Sequence, residues 1–271
     1  MNHLLTYAHW HVIHLVNVNN RSSLWTVFQE RGALAKELTK THAAFFKNMR
    51  FDEYLAGLSK NTRNQFGKKL RRLNRNGPVT LECVGDTSGY LEHFEELRRI
   101  YDARWSDDHR PPPDNDYYEC RNEAVTACFD KGKMMLFLMK QNSHVLAFRL
   151  GFMHRNCFYD WKVSHDPQAD PYSPGVLTIG MAIEELIARA YEGFDFMAGD
   201  YRYKRSWCTD NSESANCEIM ASSNFLPAAL YVKYRLRWKD YLRRAYNRAM
   251  EIPVLRFISR RTFFLWRRIR Q

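Results

Sequence analysis

Between Phe194 and Trp207 the chain reads FDFMAGDYRYKRSW, an apolar run that stops at Gly199 and gives way at once to Asp200, Tyr201, Tyr203 and Lys204. A carboxylate takes a proton, a phenol gives one up, and an ammonium steadies negative charge growing on an oxygen. Together these are the parts of acid–base chemistry at a carbonyl group. The apolar run has the length of a buried strand, so the polar groups fall at its carboxyl end, where open α/β sheets bind ligands. Asp200 is therefore the candidate base, Tyr203 the candidate acid and Lys204 the candidate oxyanion partner. A competing reading makes Asp200 and Lys204 an ion pair that closes the strand end, with Tyr201, Tyr203 and Trp207 as packing.

The elements around this segment follow from periodicity and punctuation. Trp10 to Val18 suits a strand and Ser22 to Glu30 a short helix. Ser59 is placed to cap a helix running to Asn76, with Phe66, Leu70 and Leu73 on one stripe and Gly77-Pro78 as its stop. Pro78 to Gly85 reads as a strand. A helix after Asp86-Thr87-Ser88 carries Tyr90, Phe94, Leu97 and Tyr101 on one face, and Pro111-Pro112-Pro113 separates it from another over Tyr117 to Asp130. Lys133 to Lys140, His144 to Met153 and Asn156 to Ser164 form three strands joined by polar turns, an antiparallel meander. A polar loop over His165 to Ser173 leads to a helix opened by Pro174-Gly175, with Ile179, Ile183, Leu186, Ile187 and Ala190 facing the core. Gly193 ends it, the strand Phe194 to Ala198 follows, and a last strand lies near Glu218 to Ser222. Strand, helix, strand is a crossover, so the strands on either side of that helix should be parallel or splayed neighbours.

The chain has 271 residues, 45% of them apolar, enough for one large domain with a real core. Its six cysteines show no CxxC pair and no zinc-ligand spacing, which predicts reduced, mostly buried thiols and a cytoplasmic setting. His9, His11 and His14 have no cysteine or carboxylate cluster beside them, and no metal is predicted. No run of 18 apolar residues appears.

The net charge of +11 is concentrated. Lys233 to Gln271 holds 13 Lys and Arg against Asp240 and Glu251, so this segment alone carries the whole excess. Within the balanced remainder, Lys60 to Asn76 has seven basic residues and no acid. Two positive surfaces are expected. In the tail, bases alternate with Trp238, Leu255, Phe257, Phe263, Phe264, Leu265 and Trp266, a mixture suited either to an anionic membrane surface or to packing on the domain.

Three motifs in this order resemble a known family. YLAGLSKNTRNQFGKKLRRLNRNG (54–77), HDPQADPYSPG (165–175) and FDFMAGDYRYKRSW (194–207) are similar to those of GNAT-type acyltransferases of the CelD-like kind, associated with cellulose and exopolysaccharide biosynthesis and related in fold to the FemABX peptidyltransferases. The resemblance implies an α/β fold, with a mixed, mostly antiparallel central sheet flanked by helices and a basic helical tail at the C-terminus. It divides the chain into 1–41, an N-terminal extension or the remnant of a longer half; 42–225, the acyltransferase domain; and 226–271, the tail. It also implies an acyl thioester donor, from coenzyme A or an acyl-carrier protein, and an amine acceptor, with no tightly bound cofactor.

On this resemblance the strands Asn156 to Ser164 and Phe194 to Ala198 splay to admit the thioester, and backbone amides near Val163 polarise its carbonyl. Ser173, Pro174, Gly175 and Gly180 would hold the pyrophosphate at a helix start, although the glycine-rich loop of most GNAT enzymes is absent. The FemABX motif assigns transition-state stabilisation to Lys204. Arg63, Lys68 and Arg71 on the basic helix, with Trp161 and Asp166, are candidate contacts to an acceptor, an acidic carrier or tRNA. Asp166 also suits a side-chain turn. The resulting expectation is an N-acyltransferase of envelope or exopolysaccharide synthesis, cytoplasmic and peripheral to the membrane. Its rivals are a FemABX-like transferase using aminoacyl-tRNA and a catalytically idle, membrane-linked scaffold.

Overall fold

The computed structural model describes residues 11–105, 115–208, 214–222 and 229–232. The chain forms two compact units, one of residues 39–214 and one drawn from 1–38 and 215–271. In the second unit, β1 (Val12–Asn19) pairs antiparallel with β8 (Ser214–Ser222), and α1 (Ser23–Glu30) buries Phe28 against Val18 and Ile219.

The larger unit holds the segment 194–207. Its strands are the end of β2 (Leu34–Phe45), β3 (Val79–Val84), β4 (Met134–Gln141), β5 (His144–His154), β6 (Cys157–His165) and β7 (Gly193–Ala198). They lie in the order β2-β7-β6-β5-β4-β3, antiparallel except for β6 and β7. The fold is mixed α/β with a largely antiparallel sheet flanked by helices. β4 reads MMLFLMKQ because both its faces are covered: Met135, Phe137 and Met139 enter one core, Met134, Leu136 and Leu138 the other. α4 (Thr87–Trp105) and α5 (Asn115–Asp130) supply Tyr90, Leu97, Ile100, Val125 and Phe129 to the second core. α2 (Phe51–Gly57), α3 (Lys60–Asn74), α6 (Pro174–Ala188) and α7 (Arg202–Ser206) contribute to the first.

Some elements differ from expectation, among them α2, which the sequence did not announce. β2 is a twelve-residue strand that the sequence conceals, because LAKELTKTHAAF buries side chains only at Thr41, His42 and Ala44. His165 to Ser173 is not a plain loop; Pro167–Tyr172 is a 3-10 helix.

Gly180 lies in the middle of α6, where a Cβ would stand 2.4 Å from the Phe66 ring and 2.7 Å from Trp207. Those two rings cross edge to face at 5.5 Å, so the absent side chain is what lets α3 and α7 close on α6. This corrects the assignment of Gly180 to a phosphate: it is buried in packing, beyond the first turn of the helix. Gly180→Ala should cost about 1–3 kcal/mol by overpacking, read as a lower urea midpoint; an unchanged midpoint would contradict this reading of the contact.

Candidate functional site

β6 and β7 run parallel for only three pairs, Cys157–Gly193, Phe158–Phe194 and Tyr159–Asp195. Both strands continue beyond that point, but β6 is paired on its β5 side alone. The cause is local. Asp195 Oδ1 accepts from the Met197 amide at 2.7 Å, and Met197 takes a left-handed φ of 55°, a conformation an unbranched L-residue adopts only under constraint. β7 thereby turns away from β6. A second irregularity faces it: between the pairs Gly151–Asp160 and Leu150–Lys162 of the β5–β6 ladder, Trp161 is an extra residue, a bulge of the kind that re-aims side chains beside active sites.

Parting two strands exposes carbonyls, and Lys204 answers them. Its Nζ donates to Phe196 O at 2.8 Å and to Ala198 O at 2.7 Å, and the residue is only 5% exposed. Burial pulls its pKa below the ordinary lysine value, while Asp160 and Asp195 oppose the fall. The ammonium lies over the Tyr201 ring at 5.3 Å. Lys204 is thus first a prop for the end of β7, and any catalytic service is rendered from that tethered position.

Asp200 does not pair with Lys204. Its carboxylate takes a hydrogen bond from His42 at 2.9 Å and an ion pair from Arg205 at 3.1 Å. The His42 bond, with help from Arg205, holds its pKa below the usual aspartate value. A carboxylate held low is a poor proton acceptor near neutrality, which counts against Asp200 as the base. His42, 158 residues away in sequence, was missed because no local pattern joins the two.

A buried charged pair that the sequence did not reveal lies where the strands part. Arg149 on β5 and Asp160 on β6 form a salt bridge with both side chains 2% exposed. Arg149 Nη2 also donates to Gly175 O, in the first turn of α6, at 2.5 Å. Asp160 Oδ1 and Arg149 Nε have no hydrogen-bond partner.

A cleft of about 470 Å³ lies between α3, the start of α6 and α7, with neither Arg149 nor Asp160 among its lining residues. Phe66, Val176, Leu177, Tyr203 and Trp207 give it an apolar wall; Gln65, Lys69 and Arg202 are among its polar groups. Tyr203, its pKa raised by burial, stacks on Tyr201 at 6.0 Å.

At the start of α6, Ser173 has φ 55°, and its carbonyl already accepts from the Val176 and Leu177 amides. Pro174 has no N–H, so few backbone donors remain there for a pyrophosphate. Lys69 of the basic helix compensates, its Nζ bonded to Ser173 Oγ at 2.9 Å. Gly175 faces His165, whose Nδ1 would lie 3.1 Å from an added Cβ. Val163 lies in the stretch of β6 that has left β7, opposite Arg149 on β5.

The remaining candidates are redistributed. Arg63 donates to Ala56 O and Leu58 O, closing the C-terminal end of α2, so it is not free for a substrate. Asp166 caps the 3-10 helix through Gln168 N at 2.9 Å and serves the turn. Trp161 packs on Phe152 at 5.3 Å in the core on the far side of the sheet from the cleft, which removes it from the acceptor contacts. Lys68 and Arg71 are exposed on α3. Cys208 has its thiol pushed up to about 12 by burial and is no thiolate at neutral pH.

The family described as acetyltransferase (GNAT) domain matches residues 60–205, which span the basic helix, the meander, the parted strands and Lys204. The chain belongs to the GNAT acetyltransferase-domain family. With that membership comes acyltransferase activity as a class, exercised between an acyl donor and an acceptor. No curated protein matches the sequence. Among solved structures, FemX is similar over 85% of this chain and 77% of its own at 13% identity, with a TM-score of 0.59. The C-terminal domain of an Agrobacterium fabrum protein described as a lysylphosphatidylglycerol synthetase is similar over 81% and 70% at 13% identity, with a TM-score of 0.54. L-PGS from Bacillus licheniformis is similar over 82% and 72% at 12% identity, with a TM-score of 0.52. At such identities these likenesses establish the GNAT-related fold alone.

Two outcomes test the geometry. Lys204→Ala abandons two strand-end carbonyls and should lower unfolding free energy by about 2–6 kcal/mol, roughly one to three for each; a stability loss within error would return Lys204 to a purely catalytic role. For Asp200 the folded pKa is lowered, so its stabilisation is present above the unfolded aspartate value and lost as pH falls through the folded one. The gap in melting temperature between wild type and Asp200→Asn should therefore narrow as pH falls below the ordinary aspartate value. A gap independent of pH would contradict the His42–Asp200 contact.

Proposed function

We propose that the chain is an N-acyltransferase that carries an acyl group from a thioester to an amine. The observation that supports this most strongly is the early parting of β6 and β7 beside a cleft walled by α3, α6 and α7. A thioester carbonyl laid in the gap would accept from β6 backbone near Val163, in the place of the missing β7 strand. The polyanionic end of coenzyme A would run to the start of α6, meeting Gly175, Ser173 and the charge of Lys69. The apolar wall of the cleft suits an acyl chain or the pantetheine arm.

The CelD-like motifs favour an acceptor among amine-bearing precursors of envelope or exopolysaccharide. The exposed bases of α3, Lys60, Lys68, Arg71 and Arg72, with Arg75 at its C-cap, favour a second reading in which the donor arrives on an acidic carrier protein or on tRNA. Membrane attachment through the basic tail, and with it a peripheral cytoplasmic location, is also a proposal: residues 233–271, which carry the tail's charge, lie outside the described residues. Deleting 252–271 should then abolish flotation with anionic vesicles.

Calorimetry with acetyl- and long-chain acyl-coenzyme A tests the central reading. Saturable binding that is lost in Gly175→Glu, where a carboxylate enters the expected pyrophosphate site, is the predicted result. Absence of binding by both donors would overturn a coenzyme A donor, and salt-sensitive tRNA binding in its place would establish the second reading.

A further inference from the structure

α3 carries its open charge in a single row. Lys60, Asn64, Lys68, Arg71 and Arg75 follow at steps of four, four, three and four, which sets them on one face of the helix, and all five are exposed. The helix buries Phe66 and Leu73 on its other side, and the row runs about 22 Å from Lys60 to Arg75. Elsewhere in the larger unit, basic side chains have acids beside them: Lys47 pairs with Glu192, Arg50 with Asp52, Lys140 with Glu82 and Arg189 with Glu185. Among the described residues, Lys60, Lys68, Arg71 and Arg75 pair with no carboxylate. Lys68, Arg71 and Arg75 stand three and four residues apart, where like charges on a helix repel, and a partner of opposite charge relieves that repulsion.

The other bases of α3 are engaged. Arg63 donates to the carbonyls of Ala56 and Leu58, Arg72 lies over the Tyr172 ring at 5.1 Å, and Lys69 lines the cleft and bonds Ser173 Oγ. The open charge is therefore a narrow line on the same helix that walls the cleft. The start of α6 adds a second limit, since the Val176 and Leu177 amides already bond to Ser173 O and Pro174 has no N–H. Coenzyme A brings a pyrophosphate and a ribose phosphate, whereas the pantetheine arm of a carrier protein brings one phosphodiester. A helix start short of donors, with Lys69 beside it, matches the smaller charge.

We infer that the donor arrives on an acyl-carrier protein, with an acidic helix of the carrier lying along the row from Lys60 to Arg75 and its phosphopantetheine arm entering the cleft past Lys69. This rests on the acyl-transfer reading above and commits its donor. A helix bearing carboxylates three and four residues apart has the same rise per residue as the row, so acid meets base along the whole contact. A folded nucleic acid spreads its phosphates over a surface wider than one helix face, and the flanking bases that would meet them are held by Ala56, Leu58, Tyr172 and Ser173. Acetyl-coenzyme A shares the arm and enters the same cleft, but gains nothing from the row.

Calorimetry on the full chain tests this with three probes at low salt: a bacterial acyl-carrier protein bearing an acetylated arm, the same carrier without its arm, and acetyl-coenzyme A. The acetylated carrier should bind about tenfold or more tightly than acetyl-coenzyme A, and the preference should vanish near about 1 M salt, where the screening length falls to about 3 Å. Lys68→Glu/Arg71→Glu, at two exposed positions, should melt as the wild type does and lose that preference. The armless carrier reads the row alone, so it should bind weakly to the wild type and not to the double variant. Equal affinity for the acetylated carrier and acetyl-coenzyme A, or a preference that the double variant keeps, would overturn the inference. Uncharged tRNA that displaces a bound carrier and binds more tightly would also overturn it, in favour of a nucleic acid on the row. Binding of acetyl-coenzyme A that Gly175→Glu abolishes, with no gain from the carrier, would overturn the inference and leave the acyl-transfer reading standing. Docking of the armless carrier through the row, with no gain from the acetylated arm and no binding of acetyl-coenzyme A, would support the row and count against the acyl-transfer reading.

Discussion

The site depends on one hydrogen bond within β7, from the Met197 amide to Asp195 Oδ1. It closes a side-chain turn that forces Met197 to a left-handed φ and ends the ladder with β6 after Tyr159. Had β7 continued straight, the backbone of β6 beyond Asp160 would be saturated and the sheet would have no opening. The carbonyls that the turn releases would be costly if left unpaired in a dry site. Lys204 satisfies two of them, which explains why a lysine is buried there. Gly199, with φ 111° and a position where a Cβ would stand 2.6 Å from the Tyr201 ring, lets the chain turn tightly enough for α7 to bring that lysine back.

The rest of the larger unit holds this opening rigid. α6 is buried along most of its length, from Pro174 to Leu186, and packs on β4, β5 and β6. Arg149 fastens its first turn to the sheet, while Phe66 and Trp207 grip its middle across Gly180. The Tyr54 hydroxyl donates to Trp207 O, anchoring the far side of α7 to α2. A cleft bounded by elements pinned in this way is pre-shaped, which lowers the ordering cost of taking up a ligand.

Most elements were legible because their signals are local. The meander shows as three apolar runs with polar turns, α3 as a cap, a stripe and a glycine stop, and the β6–α6–β7 crossover as its order along the chain. β2 was hidden because half of it is exposed and its alternation is broken, and α2 because seven residues hold too little periodicity. In the segment 194–207, the duties of the side chains were not readable from their types. Lys204 looks like a catalytic amine until the carbonyls of Phe196 and Ala198 appear beside it; Asp200 looks like a base until His42 arrives from β2. Arg149 gave no signal, since its meaning lies in partners 11 and 26 residues away.

If the gap between β6 and β7 receives the donor, amide hydrogen exchange of the protein with and without acetyl-coenzyme A will register it. Slowed exchange confined to peptides covering 160–165 and 174–177 is the predicted result. Saturable binding that leaves both segments unchanged while protecting another surface would contradict it.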